Sequence, residues 1–367
     1  MNRAKSGDKL FLGTVFFLVI AGTFIFASAS LGLLSRSDIG IQSIALKQIL
    51  IGLVGGIISF TIVSKIHYKH WRPLALPIFI STIILTTLIF IPGVGISHGG
   101  ASRWIDILGF SLQPSEILKL GFVLFLAWFF TSSYASRKSP LYNFLPFIGA
   151  LTLVGILLLK QPDTGTFMVF FTTGVAMYFA SGGSWKKLAM LLFSAILGIA
   201  LLAFFRPYVK DRITTFLDPS QDAQGSSYQI QQAFIAIGSG GMFGRGFGQS
   251  VQKFNFLPEP IGDSIFAVAG EEFGFMGSLV IVLSFLLFVL RGLAISAKAP
   301  DLFGRLLGTG LVILIGSQSF INIAALTGLI PLTGVPLLFI SQGGTALLLA
   351  LIESGIVVNI SRHSSTA

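Results

Sequence analysis

The chain has 367 residues, 53% of them hydrophobic and 10% charged, with no cysteine and a formal net charge of +10. Soluble domains average about 45–50% apolar and about 25% charged residues, so 24 Lys+Arg and 14 Asp+Glu cannot clothe a water-soluble surface of this size. That excludes a soluble enzyme; the 36 Phe exclude a disordered chain, and the lack of Cys excludes a disulfide scaffold. What remains is an all-α integral membrane protein, a single polytopic domain over 1–367.

A spanning helix needs about 20 mostly apolar residues to cross about 30 Å of hydrocarbon. The hydropathy pattern predicts ten such spans, over roughly 10–34, 46–64, 73–92, 114–131, 141–159, 165–181, 188–205, 264–290, 305–327 and 336–360. The first follows Arg3, Lys5 and Lys9, and its apolar run is too long for the core of a signal peptide. It reads as an anchor that stays. Sorting basic residues by alternate loops puts 14 of the 24 on one side, among them Lys65, Lys69, Arg72, Arg137, Lys138, Arg291 and Arg362, with only Asp8 and Asp301 as acids. The positive-inside bias makes that side, and both termini, cytoplasmic. Topology accounts for these basic residues without a nucleic-acid partner.

Between the spans, the opposite side holds short loops at 35–45, 93–113 and 160–164 and one long extracytoplasmic loop, 206–263. A loop of that length in a compact protein is normally functional. Within it, Tyr228–Ile237 predicts a short amphipathic helix at the interface. Gly238–Gly248 follows as a glycine-rich turn region that does not fit the dinucleotide-binding fingerprint.

Ionisable residues at membrane depth cost several kcal/mol, so each is a candidate functional group. These are Glu116 and Lys119 in the fourth span, Glu271 and Glu272 in the eighth, and Glu353 in the tenth. Glu116 and Lys119 are three residues apart and share a helix face; they form either an internal salt bridge or part of an outward-facing cavity. Asp163, in the tight turn Lys160–Gly165, either caps the sixth span or faces that cavity. Asp263 stands where the long loop meets the eighth span and has the character of an N-cap. Glu271 and Glu272, two turns deeper, are expected to bond to a neighbouring helix or loop. His67 and His70 read as a solvated pair rather than zinc ligands.

Several strings, in order along the chain, together resemble the SEDS family (shape, elongation, division and sporulation), the group of FtsW, RodA and SpoVE. They are Gly99–Trp104, Gln113–Glu116 with Lys119, Gln161–Thr166, Tyr228–Gln229 with the glycine-rich run to Gly248, Phe256–Glu259 leading through Asp263 to Glu271–Gly274, and Gly334–Pro336 through Ser341 to Gly343–Gly344. The resemblance covers the whole chain and leans toward the FtsW/SpoVE branch. It implies ten transmembrane helices in the bacterial cytoplasmic membrane and polymerisation of lipid II, the undecaprenyl-pyrophosphate-linked disaccharide-pentapeptide, into glycan at the outer face. The implied partners are a class B penicillin-binding protein and other division or elongation membrane proteins. The family's catalytic Asp falls on Asp263, where Gly262 replaces the usual preceding Thr; Gln342 likewise replaces a Tyr before the Gly-Gly pair.

In such a transfer an acceptor hydroxyl attacks C1 of the donor sugar and expels a polyprenyl pyrophosphate. A carboxylate such as Asp263 can take the proton. The leaving group needs positive charge, from Arg or Lys or from a divalent cation, Mg²⁺ or Mn²⁺; no organic cofactor is required. Arg103, Lys119, Arg245 and Lys253 are the candidate cations, with Glu116 and Asp163 lining the substrate cavity. Glu271, Glu272, Gln229 and Ser341 are expected to support the site. The rival functions are a lipid II flippase, with the membrane-depth acids as its path, and a non-catalytic scaffold that activates a transpeptidase.

Overall fold

In hydrocarbon the backbone has no partner but protein, and a chain this apolar satisfies its N–H and C=O groups within helices. A computed structural model describes residues 7–35, 41–98, 101–107, 110–136, 140–205, 207–218 and 227–364. Gly99, Gly100, Arg137 and Lys138 lie outside the described residues, as do Arg3 and Lys5. The helices are α1 (Lys9–Ser30), α2 (Ile41–Lys47) continuing through a π-helical stretch (Gln48–Gly55) into α3 (Gly56–Val63), α4 (Trp71–Thr87), α5 (Pro114–Ser136), α6 (Pro140–Lys160) and α7 (Thr164–Ala180). There follow α8 (Trp185–Phe205), α9 (Pro207–Leu217), α10 (Tyr228–Ser239), α11 (Ile265–Ala297), α12 (Leu302–Leu326) and α13 (Gly344–His363).

Among the described residues, eight helical stretches are long and apolar enough to cross a membrane. Two further apolar stretches, Phe144–Lys160 within α6 and Thr164–Ala180 (α7), are shorter. The helices sort by what they face. The most apolar windows of α5, α12 and α13 are buried over 67%, 67% and 72% of their residues, with mean hydropathies of 1.4, 1.7 and 1.7. That of α8 is 12% buried with a mean hydropathy of 2.7. Central helices pack on one another through small and polar residues, whereas α8 turns most of its apolar side chains outward.

At one end of the bundle Asp8 caps α1 by accepting from the Phe11 N–H (3.0 Å) and pairs with Arg291 at the end of α11 (2.6 Å). The Asp8 N–H also donates to Ser361 Oγ near the end of α13 (3.0 Å), so the two ends of the described chain meet. Asp301 caps α12 at the same end and takes hydrogen bonds from Tyr68 and Gly304.

Three sequence expectations need correction. The 93–113 loop folds as an antiparallel sheet, β1 (Gly95–His98), β2 (Ala101–Ile107) and β3 (Phe110–Leu112), in the order β1-β2-β3, so the fold is not wholly helical. Its signal was available: β-favouring residues alternate on either side of Gly-Gly and Leu-Gly pairs. The long loop 206–263 carries two helices, α9 and α10, the second of them the amphipathic helix expected at Tyr228. The last helix starts at Gly344 rather than 336, because 331–343 runs as an irregular, largely buried segment.

The most consequential departure lies within α11. Gly274 takes φ 66° and ψ −163°, which breaks the helix. The break would orphan four backbone groups. Gly241 C=O accepts from Phe275 N–H (2.8 Å) and Met242 C=O from Met276 N–H (3.1 Å), while Arg245 N–H donates to Glu271 C=O (3.0 Å) and Gly246 N–H to Glu272 C=O (2.9 Å). The glycine-rich loop is thus stitched into the helix. A Cβ on Gly274 would lie 2.3 Å from the Gly244 nitrogen. Gly274→Ala is expected to cost well over about 1 kcal/mol and to lower the melting temperature in detergent; an unchanged melting temperature would contradict the stitched geometry.

Candidate functional site around Asp263

Asp263 sits between two structured segments, the end of the long loop and the irregular 331–343 segment. Ser264, not Asp263, occupies the N-cap position of α11, so the Asp263 carboxylate is not spent on the helix end. It takes a hydrogen bond from Gln229 Nε2 of α10 at 3.2 Å, and the same amide nitrogen donates to Ser264 Oγ (3.0 Å). The Asp263 main-chain carbonyl accepts from Asn322 Nδ2 of α12 (2.7 Å), which also donates to Val335 C=O (2.8 Å). One amide therefore ties the base of the loop to the irregular segment.

Gly334 in that segment has φ 70°, and a Cβ there would lie 3.7 Å from both Asp263 Oδ2 and Arg212 Nη2. Carboxylate and guanidinium consequently flank one point. Removal from water pushes the Asp263 carboxyl up to about 6, with the Glu259 carboxylate adding to the shift. The Gln229 hydrogen bond and the Arg212 charge pull in the opposite direction. Gly262 leaves room for Glu259, whose Oε2 would be 3.1 Å from any Cβ at that position. Beside this group, α9, α10 and the turn after α12 enclose a cavity of about 450 Å³, lined by Arg212, Thr215, Phe216, Gln229, Phe234 and Ile330 among others.

The irregular segment has its own polar supports. Gln318 Nε2 donates to Pro336 C=O (3.2 Å), Gln48 Nε2 to Ser341 C=O (3.4 Å), and Gln48 Oε1 accepts from Gly343 N–H (3.0 Å). Ser341 Oγ accepts from Leu337 N–H (2.8 Å), a supporting role inside the segment. Gln342 contributes its backbone N–H to Ile261 C=O (2.7 Å), a bond that does not depend on its side chain.

The remaining candidates lie in other networks. Glu116 and Lys119 form a buried salt bridge at 2.7 Å, and Lys119 also donates to Gln318 Oε1 (2.5 Å). Glu353 of α13 is buried and feels both charges. Asp163 caps α7 through Thr166 N–H (3.2 Å), with its Oδ2 buried and unpartnered. Arg103 donates to the carbonyls of Gln161 and Pro162, pinning the sheet to the α6–α7 turn.

Lys253, expected at a head group, has its ammonium fully buried instead, donating to Glu272 Oε1 (2.7 Å), Gly248 C=O (2.9 Å) and Ser28 Oγ (3.1 Å). Glu272 also accepts from Ser28 Oγ. Glu271 accepts from Ser250 Oγ (2.6 Å) and the N–H groups of Val251 (3.0 Å) and Gln252 (3.1 Å), and pairs with the half-exposed Arg245 at 3.4 Å. Both glutamates therefore bind the loop, as their depth and flanking glycines suggested. Sequence reasoning missed Arg212, Asn322, Gln318 and Glu259. Asn322 and Gln318 were legible as polar residues four apart inside an apolar span; Arg212 had no signal beyond its charge in the long loop.

A family model described as cell cycle protein, covering FtsW, RodA and SpoVE, matches residues 8–366. The chain is 36% identical over 361 residues to a probable peptidoglycan glycosyltransferase FtsW of Geobacter sp. strain M18, covering 98% of each chain. It is 39% identical over 320 residues to stage V sporulation protein E of Bacillus subtilis, covering 87% of each. Its fold matches a chain of a solved peptidoglycan synthase complex described as coordinating polymerization and crosslinking, with a TM-score of 0.75 and 24% identity over 95% of this chain and 96% of that one.

Breaking a buried ion pair by removing one partner typically costs about 3–5 kcal/mol, because the other charge is left uncompensated. Lys253→Met is therefore expected to lower the detergent melting temperature sharply, and Lys253→Met combined with Glu272→Gln to recover part of the loss. Equal melting temperatures for wild type and Lys253→Met would refute the buried clasp.

Proposed function

The chain belongs to the cell cycle protein family of FtsW, RodA and SpoVE, and from that membership and the site around Asp263 we propose how it works. It is a multi-pass membrane protein and a peptidoglycan glycosyltransferase, and we assign it the polymerisation of lipid II at the outer face of the bacterial cytoplasmic membrane. In this reading ten helices cross the bilayer, the end joined by Asp8, Arg291 and Ser361 is cytoplasmic, and α9 and α10 lie outside. A class B penicillin-binding protein would cross-link the product.

The observation that carries the reading is a half-buried Asp263 held by Gln229, itself a lining residue of the neighbouring cavity, with no hydrogen bond to its carboxylate from the helix it precedes among the described residues. The acceptor sugar's 4-hydroxyl oxygen attacks C1 of the donor while its proton passes to Asp263. The C1–O bond to the diphosphate breaks, and its electron pair leaves with undecaprenyl diphosphate. One base and no carboxylate nucleophile give inversion at C1. An aspartate raised to about 6 is still ionised at neutral pH, yet is basic enough to share a proton in the transition state. Among the described residues no group of three or more His, Asp or Glu side chains converges to hold a metal, so no step here runs through one.

The ionised form is the active one. kcat/KM for glycan synthesis is therefore expected to fall about tenfold per pH unit below about pH 6. Gln229 stabilises the carboxylate, so Gln229→Leu should move this acidic limb to higher pH. A limb unmoved by Gln229→Leu would count against Asp263 as the titrating group.

A further inference from the structure

A general base must be held close to the proton it takes, and a misplacement of about 1 Å can cost about a hundredfold in rate. Gln229 restrains the Asp263 carboxylate through a hydrogen bond of 3.2 Å, at the long end of the normal range. Much of the positioning therefore falls to the main chain. The helix that follows does not supply it: Ala267 N–H, in the first turn of α11, donates to the carbonyl of Ser264 (3.0 Å). The carbonyl of Asp263 takes its hydrogen bond from Asn322 Nδ2 of α12, at 2.7 Å.

An amide nitrogen carries two hydrogens, and Asn322 places the second on Val335 C=O (2.8 Å). Val335 follows Gly334, the residue whose Cβ position lies 3.7 Å from Asp263 Oδ2. One side chain thus fixes the main chain of Asp263 against the segment that faces its carboxylate. A second buried asparagine shows what a purely structural amide looks like in this chain. Asn359, near Ser361 in α13, satisfies both ends: Nδ2 donates to Ser64 C=O and Oδ1 accepts from Tyr68 N–H, each at 2.9 Å. Asn322 is as deeply buried, yet its Oδ1 has no hydrogen-bond partner among the described residues. An unpaired buried acceptor is a cost, and here it accompanies an amide turned so that both hydrogens meet the two carbonyls.

We propose that Asn322 is a positioning residue for the reaction: through the main chain it holds the Asp263 carboxylate in its working place beside Gly334. It touches neither substrate nor the reacting proton, and the assignment rests on Asp263 as the base. The side chains that bias the charge of Asp263 are Glu259 of the long loop, Arg212 of α9 and Gln229 of α10. None of these is on α12. Releasing the Asn322 hold therefore moves the carboxylate relative to all three and alters its burial.

The test measures kcat/KM for glycan synthesis from labelled lipid II against pH, with purified full-length variants in detergent. Asn322→Leu, close in size but without donors, should lose about tenfold or more on the pH plateau. Its acidic limb should also move to lower pH, because a carboxyl released toward water returns toward its ordinary range. Asn322→Ser keeps one donor and should fall between Asn322→Leu and wild type in both respects; it carries the test if Asn322→Leu does not fold. Asn359→Leu is the control for lost stability, expected to lower the melting temperature and leave the limb where wild type has it. A limb unmoved in the Asn322 variants, whatever their loss of rate, would overturn the proposal. With Asp263→Asn inactive, that result removes Asn322 alone; wild-type synthesis by Asp263→Asn would remove the base assignment and this proposal together.

Discussion

Backbone polar groups inside a bilayer must find partners in the protein, and the architecture of this chain follows from the two places where helices fail to supply them. One is the break at Gly274, where residues 241–246 provide the four missing hydrogen bonds. The other is the irregular 331–343 segment, carried by Gln48, Gln318, Asn322 and Ser341. The first fixes the glycine-rich part of the long loop and the second packs against its end. Between them Asp263 is held without being consumed as a cap.

The charges at membrane depth mostly serve this scaffold. Glu271 and Glu272 take up the N–H, hydroxyl and ammonium groups of the 248–253 turn, and Ser28 ties that turn to α1. Lys119 orients the Gln318 amide, whose nitrogen then faces the Pro336 carbonyl. A buried ion pair is weak grounds for claiming net stability, but it specifies which groups meet. Here the pairs link the two irregular segments to α5, α11 and α12.

Much of this was legible in the sequence. Hydropathy located the helices because a lipid-facing helix such as α8 is apolar all round, and the amphipathic run at Tyr228 marked α10. The scarcity of charge marked Glu271 and Glu272, and the family resemblance singled out Asp263. The tertiary assignments were not legible. Whether Lys253 meets a head group or Glu272 depends on how the loop returns to α11, and no local pattern encodes that return. Asp163 and Asp263 both precede a helix in glycine-containing turns, yet one caps and the other does not. The difference is that Gln229 and Asn322, distant in sequence, converge on Asp263. Arg212 was hidden for the same reason, being one basic residue on a loop helix until Gly334 is brought beside it.

The proposed reaction requires Asp263 to act in chemistry rather than in binding. The most direct test follows labelled lipid II with purified Asp263→Asn protein, with a class B penicillin-binding protein added as the proposed partner, measuring substrate binding and glycan formation on the same sample. Binding close to wild type with glycan synthesis reduced by about 10²-fold or more is the predicted result. Glycan strands formed at the wild-type rate would contradict it.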